Sequence, residues 1–98
     1  MAIINKETSS TKTSSAAIYA GRCWYYGFTC VTGGSNRTIA IYDNATTNTG
    51  QIVENFTADA NKTVDGHSHA IPVHCHNGIY LSMSGGTVVV YFKPIGME

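Results

Sequence analysis

The segment Thr87-Val-Val-Val-Tyr-Phe-Lys93 has the strongest β-strand character in the chain. Every residue before its final lysine is β-branched or aromatic, and such side chains fit the pleated, half-buried surface of a sheet. Pro94 follows, and because proline has no amide hydrogen it ends the pairing of a strand. We therefore predict a strand here, with Val88, Val90 and Phe92 facing a hydrophobic core.

Further segments with alternating apolar residues precede this strand, and turns rich in Gly, Asn, Ser and Thr separate them. Turn signals recur about every eight to twelve residues, and no window has the 3.6-residue apolar period of a helix. These features predict an all-β fold with little or no helix, an antiparallel β-sandwich or jelly roll of about seven to eight short strands. The predicted strands lie within residues 16–31, 37–43, 51–56, 62–65, 67–75 and 79–83.

Side-chain alternation also predicts which residues form the core. Successive side chains of a strand point to opposite faces of the sheet, so one face of each strand is buried. In the aromatic segment after Gly21, this alternation puts Trp24, Tyr26, Phe28 and Cys30 on the core face. The predicted core comprises Trp24, Tyr26, Phe28, Ile39, Ile41, Ile71, Val73, Ile79, Leu81, Val88, Val90 and Phe92.

The chain has 98 residues, enough for one domain with a single core. Residues 1–15 are predicted to be a polar arm, because seven of the eight residues from Thr8 to Ser15 are Ser or Thr. Such a tract buries too little apolar surface to order by itself. We expect either a frayed terminus or an arm that docks on a neighbouring subunit. Residues 16–98 are predicted to form the β-sandwich domain.

Charge is scarce in this sequence. Six Lys and Arg balance six Asp and Glu, and charged residues make up 12% of the chain. This is about half the usual share in soluble domains, and a surface with so little charge is weakly protected from association. We expect a homo-oligomer, with no nucleic-acid partner because no basic patch is present. No membrane partner is expected either, since no apolar run approaches the roughly 18 residues of a membrane helix.

The three cysteines, Cys23, Cys30 and Cys75, cannot all pair within one chain. The sequence begins without the basic start and apolar run of a secretion signal. We therefore expect free thiols and assembly in a reducing cytoplasm. Cys75 is expected to behave as a small buried hydrophobic residue.

All four histidines lie between residues 67 and 76, as two His-x-His pairs. On a strand, residues i and i+2 share a face, so each pair could act as a metal-binding pincer for zinc, copper, nickel or iron. The candidate ligands are His67, His69, His74 and His76. The alternative, which the sequence favours, is that these histidines pack and hydrogen-bond on a half-buried strand, since no partner residues that would orient metal ligands are evident. Pro72 indicates an edge strand or a bulge between the pairs.

No catalytic constellation is evident in the sequence. Gly66-His67-Ser68-His69 matches part of a cupin metal motif, but no glutamate follows before Glu98. In His74-Cys75-His76, adjacent side chains point to opposite faces, so neither histidine can activate the Cys75 thiol. We predict that the protein is not an enzyme and has no resident cofactor apart from the metal considered above.

Four stretches, taken in order, carry a resemblance to a known class of proteins. They are Gly21-Arg-Cys-Trp-Tyr-Tyr-Gly-Phe-Thr-Cys30, Thr38-Ile-Ala-Ile-Tyr-Asp-Asn44, Ile71-Pro-Val-His-Cys-His-Asn-Gly-Ile-Tyr80 and Gly85-Gly-Thr-Val-Val-Val-Tyr-Phe92. The shared pattern is a Gly-Arg strand, an apolar strand ending in Tyr-Asp, an Asn-Gly-Ile-Tyr strand and a terminal Val-rich strand. In this pattern the chain resembles small all-β virion proteins of tailed phages.

The resemblance implies a structural protein of the phage particle, assembled in the bacterial host cytoplasm and located in the virion. More specifically, it implies a capsid decoration (cement) protein that sits on the shell as a homotrimer. Its partners would be copies of itself and the major capsid protein or another virion protein. Two alternatives are a small β module that binds metal or another ligand through the histidines, and a receptor-binding tip of the virion.

Overall fold

The computed structural model describes residues 8–65 and 72–95, which form strands and the loops between them. Across these residues there is no helix, and so none that is long and apolar enough to span a membrane. The strands are β1 (Thr8–Lys12), β2 (Ala16–Ala20), β3 (Cys23–Val31), β4 (Arg37–Asp43), β5 (Gln51–Ala58), β6 (Thr63–Asp65), β7 (Val73–Cys75), β8 (Gly78–Met83) and β9 (Thr87–Pro94). The predicted all-β fold is confirmed, with nine strands in the described residues instead of seven or eight.

The strands form two antiparallel sheets. Sheet A has the order β1-β9-β3-β6, with β7 also paired to β3, and sheet B has the order β2-β8-β4-β5. Buried side chains from both sheets form one hydrophobic core, which includes Phe28 and Val90 of sheet A and Ile41 and Leu81 of sheet B. The two sheets therefore pack face to face, as in a β-sandwich.

Strands β6 and β7 share one edge of sheet A. Strand β6 pairs with Thr29–Val31 of β3, and β7 pairs with Cys23–Tyr25 of the same strand. The sequence predicted one strand over residues 67–75, of which the structure describes a strand at Val73–Cys75 and places Pro72 just before it. The remainder of that prediction, with His67 and His69, lies outside the described residues.

The prediction that Trp24 and Tyr26 belong to the core is wrong. The pairing of β3 with β9 shifts register between Tyr25 and Gly27, which makes Tyr26 the extra residue of a β-bulge. Gly27 has a φ of 128°, a backbone conformation that glycine adopts without strain. Before the bulge Tyr25 is buried, and after it Phe28 is buried, while Trp24 and Tyr26 are half-buried on the outer face of sheet A.

The rest of the predicted core is largely confirmed. The correctly predicted residues are Phe28, Ile39, Ile41, Ile79, Leu81, Val88, Val90 and Phe92. The prediction that Val73 belongs to the core is wrong, because its side chain is 38% exposed on a three-residue strand at the edge of sheet A. Ile71 lies outside the described residues. The core also contains residues that the alternation of β3 had assigned to the other face, Cys23 and Tyr25.

The polar N-terminal tract contributes a strand of its own. Residues Thr8–Lys12 pair with Val88–Phe92 of β9 in the same chain, where the sequence predicted a frayed end or an arm on a neighbouring subunit. The backbone groups at the edge of β9 supply hydrogen-bond partners that do not depend on apolar side chains. A Ser/Thr-rich segment can therefore be ordered by a sheet edge although it has little hydrophobic surface to bury.

One hydrogen bond ties the two sheets together across the core. The Tyr25 hydroxyl of β3 donates to Oε1 of Glu54 on β5 at 2.6 Å. Burial of the phenol, together with the adjacent Glu54 carboxylate, raises the pKa of Tyr25 above its ordinary value of 10.0. Phenolate formation is therefore disfavoured in the folded state, and the neutral hydroxyl remains available to donate.

We expect Tyr25→Phe to lower the free energy of unfolding by about 1.5–3 kcal/mol, because a hydrogen bond to a carboxylate is lost. The raised pKa of Tyr25 also makes wild-type stability fall as pH rises above 10.0, where the unfolded state releases a proton that the folded state retains. This alkaline loss should be smaller in Tyr25→Phe. Urea denaturation over a pH series measures both effects, with Tyr26→Phe, half-buried on the outer face of sheet A, as a control that should change little.

Candidate functional site

The His74-Cys75-His76 segment lies at the edge of sheet A, where β7 pairs with the start of β3. His74 stands opposite Trp24, and Cys75 stands opposite Cys23. The imidazole of His74 packs on the Trp24 indole, with ring centroids 5.0 Å apart and planes tilted by 39°. Cys75 is fully buried in the core, as predicted, so His74 and Cys75 lie on opposite sides of the sheet.

The second His-x-His pair was expected to share one face of a strand, but His74 lies on β7 and His76 lies in the turn after it. The rings of His74 and His76 have centroids 4.2 Å apart. In the part of the chain that the structure describes, no group of three or more His, Cys, Asp or Glu side chains is placed to hold a metal ion. His67 and His69 lie outside that part, so a metal site formed by all four histidines stays a prediction.

Asp43 holds the turn that follows β7, a role that was not predicted from the sequence. Its carboxylate accepts hydrogen bonds from the backbone amides of His76, at 3.1 Å, and Asn77, at 2.8 Å. The Asn77 carbonyl in turn accepts a bond from the Gly21 amide at 3.0 Å. Asp43 ends β4 and is 33 residues from His76 in sequence, so this contact depends on the packing of the two sheets.

His74 carries a buried nitrogen whose hydrogen bonding is incomplete. Within residues 8–65 and 72–95, the Nε2 atom of His74 has no hydrogen-bond partner. Burial is the main cause that lowers the pKa of His74 below its ordinary value of 6.5, and the neighbouring His76 and Arg22 lower it further. The folded protein therefore favours a neutral His74.

The lowered pKa of His74 predicts an acid-sensitive edge of sheet A. As pH falls below 6.5, the unfolded chain binds a proton that the folded chain excludes, so stability should decrease until the folded-state pKa is reached. His74→Phe keeps a ring against Trp24 but cannot be protonated. Melting curves between pH 7 and pH 5 should show a smaller decrease for His74→Phe than for wild type; equal decreases would assign the effect to other groups.

The three cysteines are free thiols, and all three are buried. Cys23 and Cys75 occupy directly opposed positions of β3 and β7, and their side chains are hydrogen-bonded to each other. This hydrogen bond is the largest cause that lowers the pKa of Cys23 and raises that of Cys75, and burial raises the pKa of Cys75 further. This pair could not be predicted from residue spacing, because it depends on which strands become neighbours.

The outer face of sheet B is a second candidate site. One row of residues crosses all four strands, from Ala17 through Tyr80 and Tyr42 to Ile52. Ile52 is 48% exposed. On β4 and β8 the outward positions alternate with buried Ile and Leu residues, and on β2 and β5 they are the residues paired with those positions. They are Ala17, Thr38, Ala40, Tyr42, Ile52, Asn55, Thr57, Tyr80 and Ser82, and none of them is charged. We call this surface the uncharged face.

No pocket is found among the residues that the structure describes. The chain matches no protein-family model, and comparisons with curated proteins and with solved structures found no match.

Proposed function

We propose that the protein is a non-enzymatic structural component of a bacteriophage particle, a capsid decoration (cement) protein that binds the shell as a homo-oligomer, with a trimer favoured. Its partners in this proposal are copies of itself and the major capsid protein. The uncharged face of sheet B is the observation that carries the proposal, and the sequence resemblance described above suggests the particle.

The composition of the uncharged face supports its use as an interface. Protein interfaces are depleted of charged residues in their centre and enriched in tyrosine. Tyr42 and Tyr80 are paired neighbours in the middle of sheet B, and Ile52 extends their row to β5. A tyrosine provides a large contact area with few rotatable bonds, so its ordering on binding costs little entropy.

The edge of sheet B next to this face also supports association. Strand β5 is eight residues long and, among the described residues, pairs only with β4. Monomeric proteins usually protect such an edge with charged side chains. The one charge on β5 is Glu54, whose carboxylate accepts the hydrogen bond from buried Tyr25. A neighbouring subunit that covers β5 would satisfy the exposed backbone groups of this edge.

The uncharged face predicts that an arginine in its centre prevents assembly. Tyr80→Arg should weaken self-association by at least about 30-fold, because a central interface tyrosine is lost and a buried charge is introduced. Native mass spectrometry at micromolar concentration measures the oligomer. Ser35→Arg adds the same charge in the exposed turn after β3 and should leave the oligomer unchanged. A wild-type protein that is monomeric and does not bind capsids would refute the proposed function.

The histidine pair supports a second candidate, a small metal-binding β module. The close packing of His74 and His76 and the unpartnered Nε2 of His74 in the described part favour it. Elemental analysis of protein purified without a histidine tag decides between the two, because a metal content near zero removes this candidate.

A receptor-binding tip would use the same fold and is distinguished by imaging its location on the particle.

A further inference from the structure

Cys23 and Cys75 meet the geometric conditions for a cross-strand disulfide. The two residues are directly opposed in the antiparallel pairing of β3 with β7, and both are fully buried. Opposed residues of an antiparallel pair have Cα atoms about 4.5–5.5 Å apart, and a disulfide accepts Cα separations of about 4.4–6.8 Å. Bond formation therefore needs little movement of the backbone.

We propose that Cys23 and Cys75 are a redox-active dithiol that closes into a disulfide and fastens β7 to β3. A low-molecular-weight disulfide is the oxidant. The disulfide would fix two neighbouring parts of the edge of sheet A, which are the strand that carries His74 and the turn bound by Asp43. It is a property of the chain itself and does not depend on the proposed role in a phage particle.

The reaction is a pair of thiol–disulfide exchanges. The Cys23 thiolate attacks one sulfur of the oxidant, forms a mixed disulfide and releases one small thiol. The Cys75 sulfur then attacks the Cys23 sulfur, forms the Cys23–Cys75 bond and releases the second small thiol. The two cysteines lose two electrons, the oxidant gains them, and the two cysteine protons end on the two released thiols.

Local opening of β7, the strand that carries Cys75, gives the oxidant access to the buried sulfurs. Strand β7 has three residues and, among those described, pairs with β3 alone, so few hydrogen bonds hold it in place. Short edge strands open locally at a lower free energy than the core. The hydrogen bond with Cys75 lowers the pKa of Cys23, which favours Cys23 as the attacking sulfur.

Cys30 provides an internal control. It is also buried in β3, but its neighbours across the sheet are Val64 of β6 and Val88 of β9. Cys30 therefore has no cysteine opposite it, and the structure predicts that it stays a thiol while the other two are oxidised.

The full-length protein equilibrated with mixtures of reduced and oxidised glutathione tests this inference. Before alkylation, the oxidised wild type should be about 2 Da lighter than the reduced protein, because two hydrogens are lost. After alkylation in denaturant, it should carry one alkyl group, on Cys30, and yield a Cys23–Cys75 linked peptide. Cys30→Ala should form the same bond, and Cys75→Ala should not. The oxidised protein should melt roughly 10 °C or more above the reduced protein.

Three outcomes would overturn the inference: alkylation of all three cysteines at an oxidising glutathione ratio, glutathione adducts without the internal bond, or a bond that includes Cys30. The peptide map is made on the wild-type protein, so it tests the disulfide even if a variant folds poorly. An unchanged melting temperature with the bond in place would contradict the fastening of β7.

Discussion

Replacing Phe28 with alanine is expected to lower the free energy of unfolding by about 3–5 kcal/mol, the range found when a fully buried aromatic ring is removed. The Phe28 side chain is fully buried. Its ring lies 5.7 Å from that of Phe56 on β5, so it fills space between the two sheets. Urea denaturation monitored by far-UV circular dichroism measures the loss.

Tyr26→Ala is the matched control for Phe28→Ala, because Tyr26 belongs to the same strand and also carries an aromatic ring. The bulge at Tyr26 places its side chain half-buried on the outer face of sheet A. We expect a loss below about 1.5 kcal/mol, as for a partly exposed side chain. If Tyr26→Ala destabilised the protein more than Phe28→Ala, the position of the bulge would be wrong.

Gly78→Ala is expected to cost about 3 kcal/mol through backbone strain and steric overlap. Gly78 opens β8 with a φ of 140°, which residues with a side chain rarely adopt. A Cβ atom there would overlap the carbonyl oxygen of Tyr19 and approach the Cα atoms of Ala20 and Ala45. Because β2 lies so close, the substitution would push apart two strands of sheet B. The shift of the urea midpoint measures the cost.

Gly34→Ala is the control for this substitution. Gly34 lies in the exposed turn between β3 and β4, and a Cβ atom there would meet no atom within 4 Å. The free energy of unfolding of Gly34→Ala should differ from that of wild type by no more than about 0.5 kcal/mol, as for most surface substitutions. Similar losses for both alanine variants would mean that close approach to Tyr19 is not what requires glycine at position 78.

The strand pattern of the chain is predictable because alternation and turn residues are local properties. The predicted strand over residues 37–43 has the bounds that the structure shows for β4, and the Val88, Val90 and Phe92 face of β9 is buried as expected. The bulge in β3 could not be predicted in the same way. A single extra residue exchanges the two faces of a strand, and Gly27 marks the position only when the pairing with β9 is known.

The candidate sites show the same difference between contacts that are local in sequence and contacts between distant segments. His74 and His76 are two residues apart, so their ring contact is local in sequence, although His76 lies in the turn after β7 and not on a strand. The Cys23–Cys75 pair and the hydrogen bonds of Asp43 join segments far apart in sequence. Such contacts depend on strand order, which residue type and spacing do not specify. The uncharged face was missed for the same reason, because it appears only when four strands lie side by side.

Quantitative mass spectrometry of purified phage particles tests the central claim most directly. Under the proposed function, the particles to purify are those of the phage that carries the gene for this chain, separated from free protein on a density gradient. We predict that the chain is present in a fixed ratio to the major capsid protein, and that Tyr80→Arg particles lose it while Ser35→Arg particles retain it. Intact particles that contain none of the wild-type chain would contradict the account.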